Sequence, residues 1–234
     1  MGRHRTARSE TTRTSIARSQ SDPRWRWPIP VMIAKYAGLA VAMIALIGVI
    51  APAPAYAGST GVEIINQATG SARIGLRIDV MQGSTNLYQG AFLWPNNPNA
   101  SQEFDLPAVE NGFFQIRARH SGLCLMPDRR SGTFTDGTPI VQLSCDNKSL
   151  RSAQWSVERR QPNCEAGALC VDTGARIIVN RYTRKCLDTA NPSNRAPRQQ
   201  AILQQWACIE LSSDRNAKNQ IWNIRDAKTG RIVR

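Results

Sequence analysis

The sequence predicts an all-β domain, a barrel built from three pseudo-symmetric repeats, preceded by a cleaved signal peptide. Three observations predict it. After residue 57 the chain alternates short β-branched or aromatic runs with polar turns, and no segment sustains a 3.6-residue apolar period. A segment of similar composition returns three times, as Ser101-Gln-Glu-Phe104, Ser152-Ala-Gln-Trp155 and Asn219-Gln-Ile-Trp222. All six cysteines lie in the same stretch, at spacings that repeat.

The first 57 residues read as targeting sequence. Arg-, Ser- and Thr-rich sequence up to Lys35 leads into an uncharged apolar run, Tyr36 to Ile50, and then Ala51-Pro-Ala-Pro-Ala-Tyr-Ala57. A basic stretch, a short apolar core and an Ala-x-Ala site are the three parts of a secretory signal peptide. The 15 apolar residues fall short of the about 20 that a bilayer needs, and two prolines follow where a spanning helix would continue. The expectation is cleavage after Ala57 and a secreted, extracellular domain over 58–234. A membrane enters only through the signal segment, if it is left uncleaved.

The elements follow in order. Val62-Glu-Ile-Ile65, Phe113-Phe-Gln-Ile-Arg117 and Arg176-Ile-Ile-Val-Asn180 open the three units as strands, each running into a polar turn. Thr138-Pro-Ile-Val-Gln-Leu143 and Ala201-Ile-Leu-Gln-Gln-Trp206 read as later strands. Phe104 to Trp155 is 51 residues and Trp155 to Trp222 is 67, and most of the excess precedes Cys186 and contains Cys164 and Cys170. That pair therefore staples an inserted loop, and the repeats cover about 61–104, 105–155 and 156–222. Three such repeats of short strands predict a closed all-β barrel with pseudo-threefold symmetry.

Export makes disulfides durable. Counting alone permits fifteen connectivities. Spacing favours one: Cys124 with Cys145 at 21 residues, Cys186 with Cys208 at 22, and Cys164 with Cys170 at six. Each larger loop removes about 3 kcal/mol of chain entropy from the unfolded state. Zinc knuckles are excluded by the absence of a Cys-x-x-Cys pair.

Charge and composition exclude further classes. Of 30 basic and 17 acidic residues, eight and two lie in 1–57, leaving 22 against 15, a net +7, over 58–234. His120 is the only histidine after the leader, so neither a histidine-rich metal site nor a two-histidine catalytic centre can be built. Asp105, Glu110, Asp136, Asp172 and Glu210 are scattered and form no pair suited to glycosidase geometry. The chain is expected to be no enzyme and to need no cofactor or metal. A modest charge without a recognised motif argues against nucleic acid. Arg117, Arg119, Arg129, Arg130, Arg151, Arg159 and Arg160 concentrate in the middle unit; such charges are ordinarily a solvated face, with attraction to an acidic glycan or anionic surface as the functional alternative.

The third unit carries Lys185-Cys186-Leu187-Asp188, Gln204-Gln205-Trp206-Ala207-Cys208 and Asn219-Gln220-Ile221-Trp222 in order. This resembles one complete repeat of the ricin B-chain-type lectins. Those are β-trefoils with a Cys-Leu-Asp, a Gln-x-Trp-x-Cys and a terminal Gln-x-Trp in each lobe. The resemblance spans about residues 61–222. It implies a carbohydrate site in which Asp188 accepts bonds from two sugar hydroxyls and Trp206 lies under the apolar face of the pyranose. Asn219 and Gln220 hold the remaining hydroxyl and the aspartate. The second unit departs from the pattern: Met126 stands for the carboxylate, Leu143 for the aromatic and Ser152-Ala153 for Asn-Gln, which makes it a structural lobe. Asp128 lies two residues late. In the first unit, which has no cysteine, Asp79, Trp94 and Gln102 keep the order carboxylate, aromatic, glutamine, and Ser101 replaces the asparagine.

The expected function is a secreted carbohydrate-binding lectin using mainly the third lobe, its partner a glycan or polysaccharide of galactose or xylan type. The alternative is a non-catalytic protein-interaction or toxin-accessory trefoil whose sugar sites are relics, with a cell-surface or secreted protein as its partner.

Overall fold

The computed structural model of the chain describes residues 56–71, 74–97, 99–130, 132–147, 149–159, 176–191, 196–209 and 217–233. The leader up to residue 55 and the pair Cys164 and Cys170 lie outside the described residues. Among those residues there are thirteen strands, a few single-turn 3-10 segments and no α-helix.

The first lobe holds β1 (Val62–Asn66), β2 (Arg77–Val80), β3 (Ala91–Trp94) and β4 (Phe104–Asp105). The second opens on a strand broken in two, β5 (Phe114–Gln115) and β6 (Arg117–Ala118), and continues with β7 (Cys124–Pro127), β8 (Ile140–Leu143) and β9 (Gln154–Arg159). The third holds β10 (Arg176–Asn180), β11 (Cys186–Thr189), β12 (Leu203–Trp206) and β13 (Trp222–Asp226). The break at Ile116 keeps its carbonyl for Leu125 N, at 2.9 Å, so the strand serves two neighbours.

Pairing is antiparallel throughout. β10 pairs with β9, β9 with β5, β6 with β4, β4 with β1, and β1 with the whole of β13. β13 also contacts β10, so these strands follow one another round a ring. The hairpins β2–β3, β7–β8 and β11–β12 stand off it. Single bridges join each hairpin to the others: Gly90 to Val141, Pro139 to Gln204 and Phe92 to Ile202. A closed ring with interlocked hairpins leaves few unpaired strand edges, and the arrangement is a β-trefoil.

The middle residue of each late strand carries the interlock. Gln205 N donates to Thr138 O and Gln205 O accepts from Gly137 N, both at 2.9 Å. Gln142 N donates to Gln89 O and its O accepts from Tyr88 N, while its side-chain Nε2 donates to Ser84 O and Asn86 O at 2.7 and 2.8 Å. Leu93 exchanges the same pair of backbone bonds with Gln200 and Ala201. Each lobe's loop is thus fastened to another lobe's hairpin.

The core sits inside the ring. Phe104, Trp155 and Trp222 are fully buried among Ile64, Ile78, Phe114, Leu125, Ile178 and Leu187. Each side chain of that size contributes about 1.5–3 kcal/mol by leaving water. A buried indole also needs an acceptor. Trp155 Nε1 donates to Leu125 O and Trp222 Nε1 to Leu187 O, at 2.9 and 3.1 Å. Tyr56 belongs to the same core, and its hydroxyl accepts from Arg176 Nε at 3.3 Å. A chain cut after Ala57 would lack this contact.

Cys124 is bonded to Cys145 and Cys186 to Cys208, the two larger pairs that spacing favours. The first lobe places Arg77 at the corresponding position, opposite Trp94 as Cys186 is opposite Trp206. Arg77 is completely buried, with Nε 3.1 Å from Glu63 Oε1 and Nη1 donating to Gly75 O at 2.7 Å. Arg225 holds the other Glu63 oxygen. Burial lowers the pKa of Arg77, and Glu63 opposes that shift.

Candidate functional site

Strand alternation positions the third-lobe residues. Along β11, Leu187 points into the core and Asp188 to the opposite face. On β12, Gln204 lies opposite Asp188, and Trp206 follows two residues later on the same face. Asn219 and Gln220 arrive in a turn just before β13. Three side-chain amides converge on the carboxylate. Gln204 Nε2 donates to Oδ1 at 2.8 Å, while Asn219 Nδ2 and Gln220 Nε2 donate to Oδ2 at 2.6 and 2.8 Å. Gln220 is itself clamped: Nε2 also donates to Ala207 O at 3.0 Å, and Oε1 accepts from Ile209 N at 2.9 Å.

Asp188 is fully buried beneath these donors. Burial raises its pKa from 3.8 to about 6; the three amides pull it down, and the nearby Asp136 charge adds to the rise. Asp136 belongs to the second lobe's loop, where it accepts from Ala207 N at 2.9 Å and pairs with Lys185. Trp206 is 42% exposed, which a core tryptophan would not be. Its ring lies over that same loop, where a Cβ added to Gly137 would come within 3.7 Å of it.

The first lobe repeats the clamp in the same frame. Gln102 Nε2 donates to Asp79 Oδ2 and to Pro95 O, both at 2.8 Å, and Gln102 Oε1 accepts from Asn97 N at 3.1 Å. Pro95 and Asn97 stand one and three residues after Trp94, as Ala207 and Ile209 stand after Trp206. Ser101 takes no part in holding the carboxylate. The asparagine amide comes from Asn97 instead, whose Nδ2 donates to Asp79 Oδ2 at 2.9 Å. Phe92 stands where the third lobe has Gln204, so among the described residues nothing donates to Asp79 Oδ1. Phe92 packs edge-on to Trp94, with centroids 5.5 Å apart. A cleft of about 580 Å³ opens here, lined by Asp79, Phe92, Trp94, Asn97, Met81 and the third lobe's Ile202.

The second lobe has no such constellation. Met126, Val141, Leu143 and Ala153 close into an apolar cluster with Cys124, packed by Cys145 and Leu150. Asp128 is held by Arg130, whose Nη2 donates to its Oδ2 at 2.6 Å and lowers its pKa. His120 is half-buried and sits 3.0 Å from Ser84 O, where it braces a first-lobe loop. Among the described residues no cluster of three His, Cys, Asp or Glu side chains could hold a metal.

Sequence reasoning missed Gln204, Phe92 and Asn97. The first was inside a motif already read and is found by pairing the strands, since it faces Asp188 across β11 and β12. Phe92 follows by the same register. Asn97 has no sequence signal, because it reaches the carboxylate from a different point of the loop than Asn219 does.

The fold is shared with solved structures. A designed threefold-symmetric protein, ThreeFoil, matches with a TM-score of 0.53 at 21% identity, over 70% of this chain and 96% of the other. A ricin B-like lectin from Macrolepiota procera, solved with lactose, matches with 0.50 at 20% identity, over 72% and 95%. An exo-β-1,3-galactanase from Clostridium thermocellum matches with 0.52 at 22% identity, over 71% of this chain and 30% of the enzyme. A search of curated proteins finds no match. The family model of ricin-type β-trefoil lectin-like domains matches residues 54–143 and 100–206. With three lobes, a buried aromatic closing each and the Asp–Gln clamp built twice, the chain belongs to the ricin-type β-trefoil lectin-like family.

Proposed function

We propose that the chain is a secreted, non-catalytic lectin that binds galactose-type or xylan-type glycan through its first and third lobes. The observation that carries this reading is the duplicated clamp. Gln102 and Gln220 fix Asp79 and Asp188 with the same set of bonds, each beside a tryptophan two residues along the facing strand. A pyranose offers C–H groups on one face and hydroxyls at its edge. A fixed carboxylate with an adjacent indole meets both.

In the third lobe Asp188, Trp206, Asn219 and Gln220 make the site, with Gln204 swinging off Oδ1 to admit a hydroxyl. In the first, Asp79 offers Oδ1 directly to the cleft, Trp94 supplies the platform, and Gln102 and Asn97 hold the acid. At the corresponding position the second lobe has the apolar packing of Met126, Val141, Leu143 and Ala153 in place of the carboxylate clamp. Support for export comes from the basic, apolar and Ala-x-Ala segments of the leader and from two disulfides, which persist in oxidising compartments.

The test is calorimetric titration of lactose and xylotriose into the wild type, Asp79→Ala, Asp188→Ala and the double variant, with folding checked by near-ultraviolet dichroism. Each single change should remove one class of site, and the double should remove binding altogether, because a charged hydrogen bond contributes about 1.5–3 kcal/mol. Undiminished binding by the double variant would overturn the assignment. A well-folded wild type that binds no glycan would leave the protein-interaction reading in its place.

A further inference from the structure

The middle lobe's arginines are not equivalent once their partners are known. Arg119 lies 2.6 Å from Glu103 and 3.4 Å from Asp105, and Arg130 is spent on Asp128 and the Tyr88 ring. Arg117 Nε donates to Gly122 O. Arg129 and Arg151 are exposed and have no carboxylate partner among the described residues. These two line one and the same cleft, of about 400 Å³, between the second and third lobes.

The rest of that lining is suited to one kind of ligand. Phe134 and Tyr182 meet edge-to-face with centroids 5.3 Å apart, and Tyr182 is 59% exposed, so its ring forms an open wall. Ser152 lines the cleft and is 4% exposed, yet its hydroxyl has no partner among the described residues, which a buried hydroxyl rarely tolerates. Asn147 Oδ1 already accepts from Ser149 N and Oγ at 3.0 and 2.6 Å, which leaves its amide hydrogens for a ligand. No acidic side chain lines the cleft among the described residues. Two guanidiniums, a hydroxyl and an amide are donors waiting for an anionic acceptor. The aromatic wall adds a surface for a sugar ring. The volume is that of a small-molecule site.

We propose that this cleft is a separate site for an acidic sugar, taking the carboxylate of a uronic-acid residue on Arg129, Arg151 and Ser152 and stacking its ring on Tyr182. It uses none of the residues of the first- and third-lobe sites. It therefore stands or falls independently of them, and the same chain could hold neutral and acidic glycan together.

The experiment titrates a galacturonic-acid trimer and its methyl-esterified counterpart into the full protein at low and raised salt. The acid trimer should bind the wild type, and the ester should bind about tenfold more weakly or worse, because the charged hydrogen bonds are gone. Read in an Asp79→Ala/Asp188→Ala background, which silences the first- and third-lobe sites, the acid trimer should still bind, Arg129→Gln/Arg151→Gln should cost about tenfold or more, and Ser152→Ala and Tyr182→Ala should each weaken binding. Arg117→Gln/Arg231→Gln removes equal charge elsewhere and should have little effect. The proposal is overturned by a trimer that fails to bind the wild type or binds the Arg129/Arg151 variant equally well. It is also overturned if the charge-matched control loses as much, or if Asp79→Ala/Asp188→Ala alone abolishes binding of the acid trimer.

Discussion

Asp79 and Asp188 share a register position and a glutamine clamp, yet one faces a cleft and the other lies under three amides. The difference traces to Phe92 against Gln204, since phenylalanine has nothing to donate to the second carboxylate oxygen. Burial of Asp188, which outweighs its three amide donors, gives the third lobe a pH response. In the proposed site sugar hydroxyls would donate to the ionised acid, and Asp188 has its pKa raised to about 6. Its ionised fraction falls about tenfold between pH 7 and pH 5. Third-lobe affinity, titrated in an Asp79→Ala background, should fall by the same factor; a flat profile would show that Asp188 is not the acceptor. The stability effect runs the other way. The folded protein holds this proton more tightly than the unfolded chain, so stability falls as pH rises from about 4 to about 6, by on the order of 3 kcal/mol. Asp188, Trp206, Asn219 and Gln220 were legible because they are adjacent in compact motifs. Asn97 was not, because its role depends on how a loop folds back.

Where the second and third lobes fasten their hairpins with disulfides, the first uses charge. Arg77 replaces the cysteine, Glu63 on β1 receives it, and Arg225 on β13 takes the second oxygen. Strands β1, β2 and β13 are thus tied by one buried carboxylate. Removing it takes the shared carboxylate from two guanidiniums, one of them fully buried, so Glu63→Ala should cost about 3 kcal/mol or more in urea unfolding. Glu110→Ala, which breaks the more exposed pair with Arg181, should cost about 1 kcal/mol or less. Equal losses in the two variants would show that the buried network is not a tie. At this scale the cysteine spacing and the returning Phe104, Trp155 and Trp222 made the lobes legible, since both are local patterns in the chain. The Glu63–Arg77–Arg225 tie was hidden, because its members come from three strands and no sequence period links them. The division at Ile116 was equally hidden, being set by which neighbour each half of the strand must pair with.

For the whole molecule, the threefold frame would turn the two proposed sites into one stronger binder. The first and third lobes carry their clamped aspartates on different hairpins, β2–β3 and β11–β12, and the Phe92–Ile202 bridge holds those hairpins in fixed relation. A second site so held is presented to a nearby sugar at high effective concentration, and such linkage can raise apparent affinity by about 10²–10⁴ without a new contact. Soluble monosaccharide cannot exploit it, whereas a dense polysaccharide surface can. The wild type should therefore bind a xylan- or galactan-coated surface far more tightly than either Asp79→Ala or Asp188→Ala. All three should show similar affinity per site for monosaccharide in solution. Surface plasmon resonance on sparse and dense coatings separates the two contributions, because the advantage should shrink as the sugars are diluted. If each single variant lost only about half of the surface response at every density, the lobes would be acting alone. The middle lobe's conversion to apolar packing would then have cost the molecule nothing in avidity.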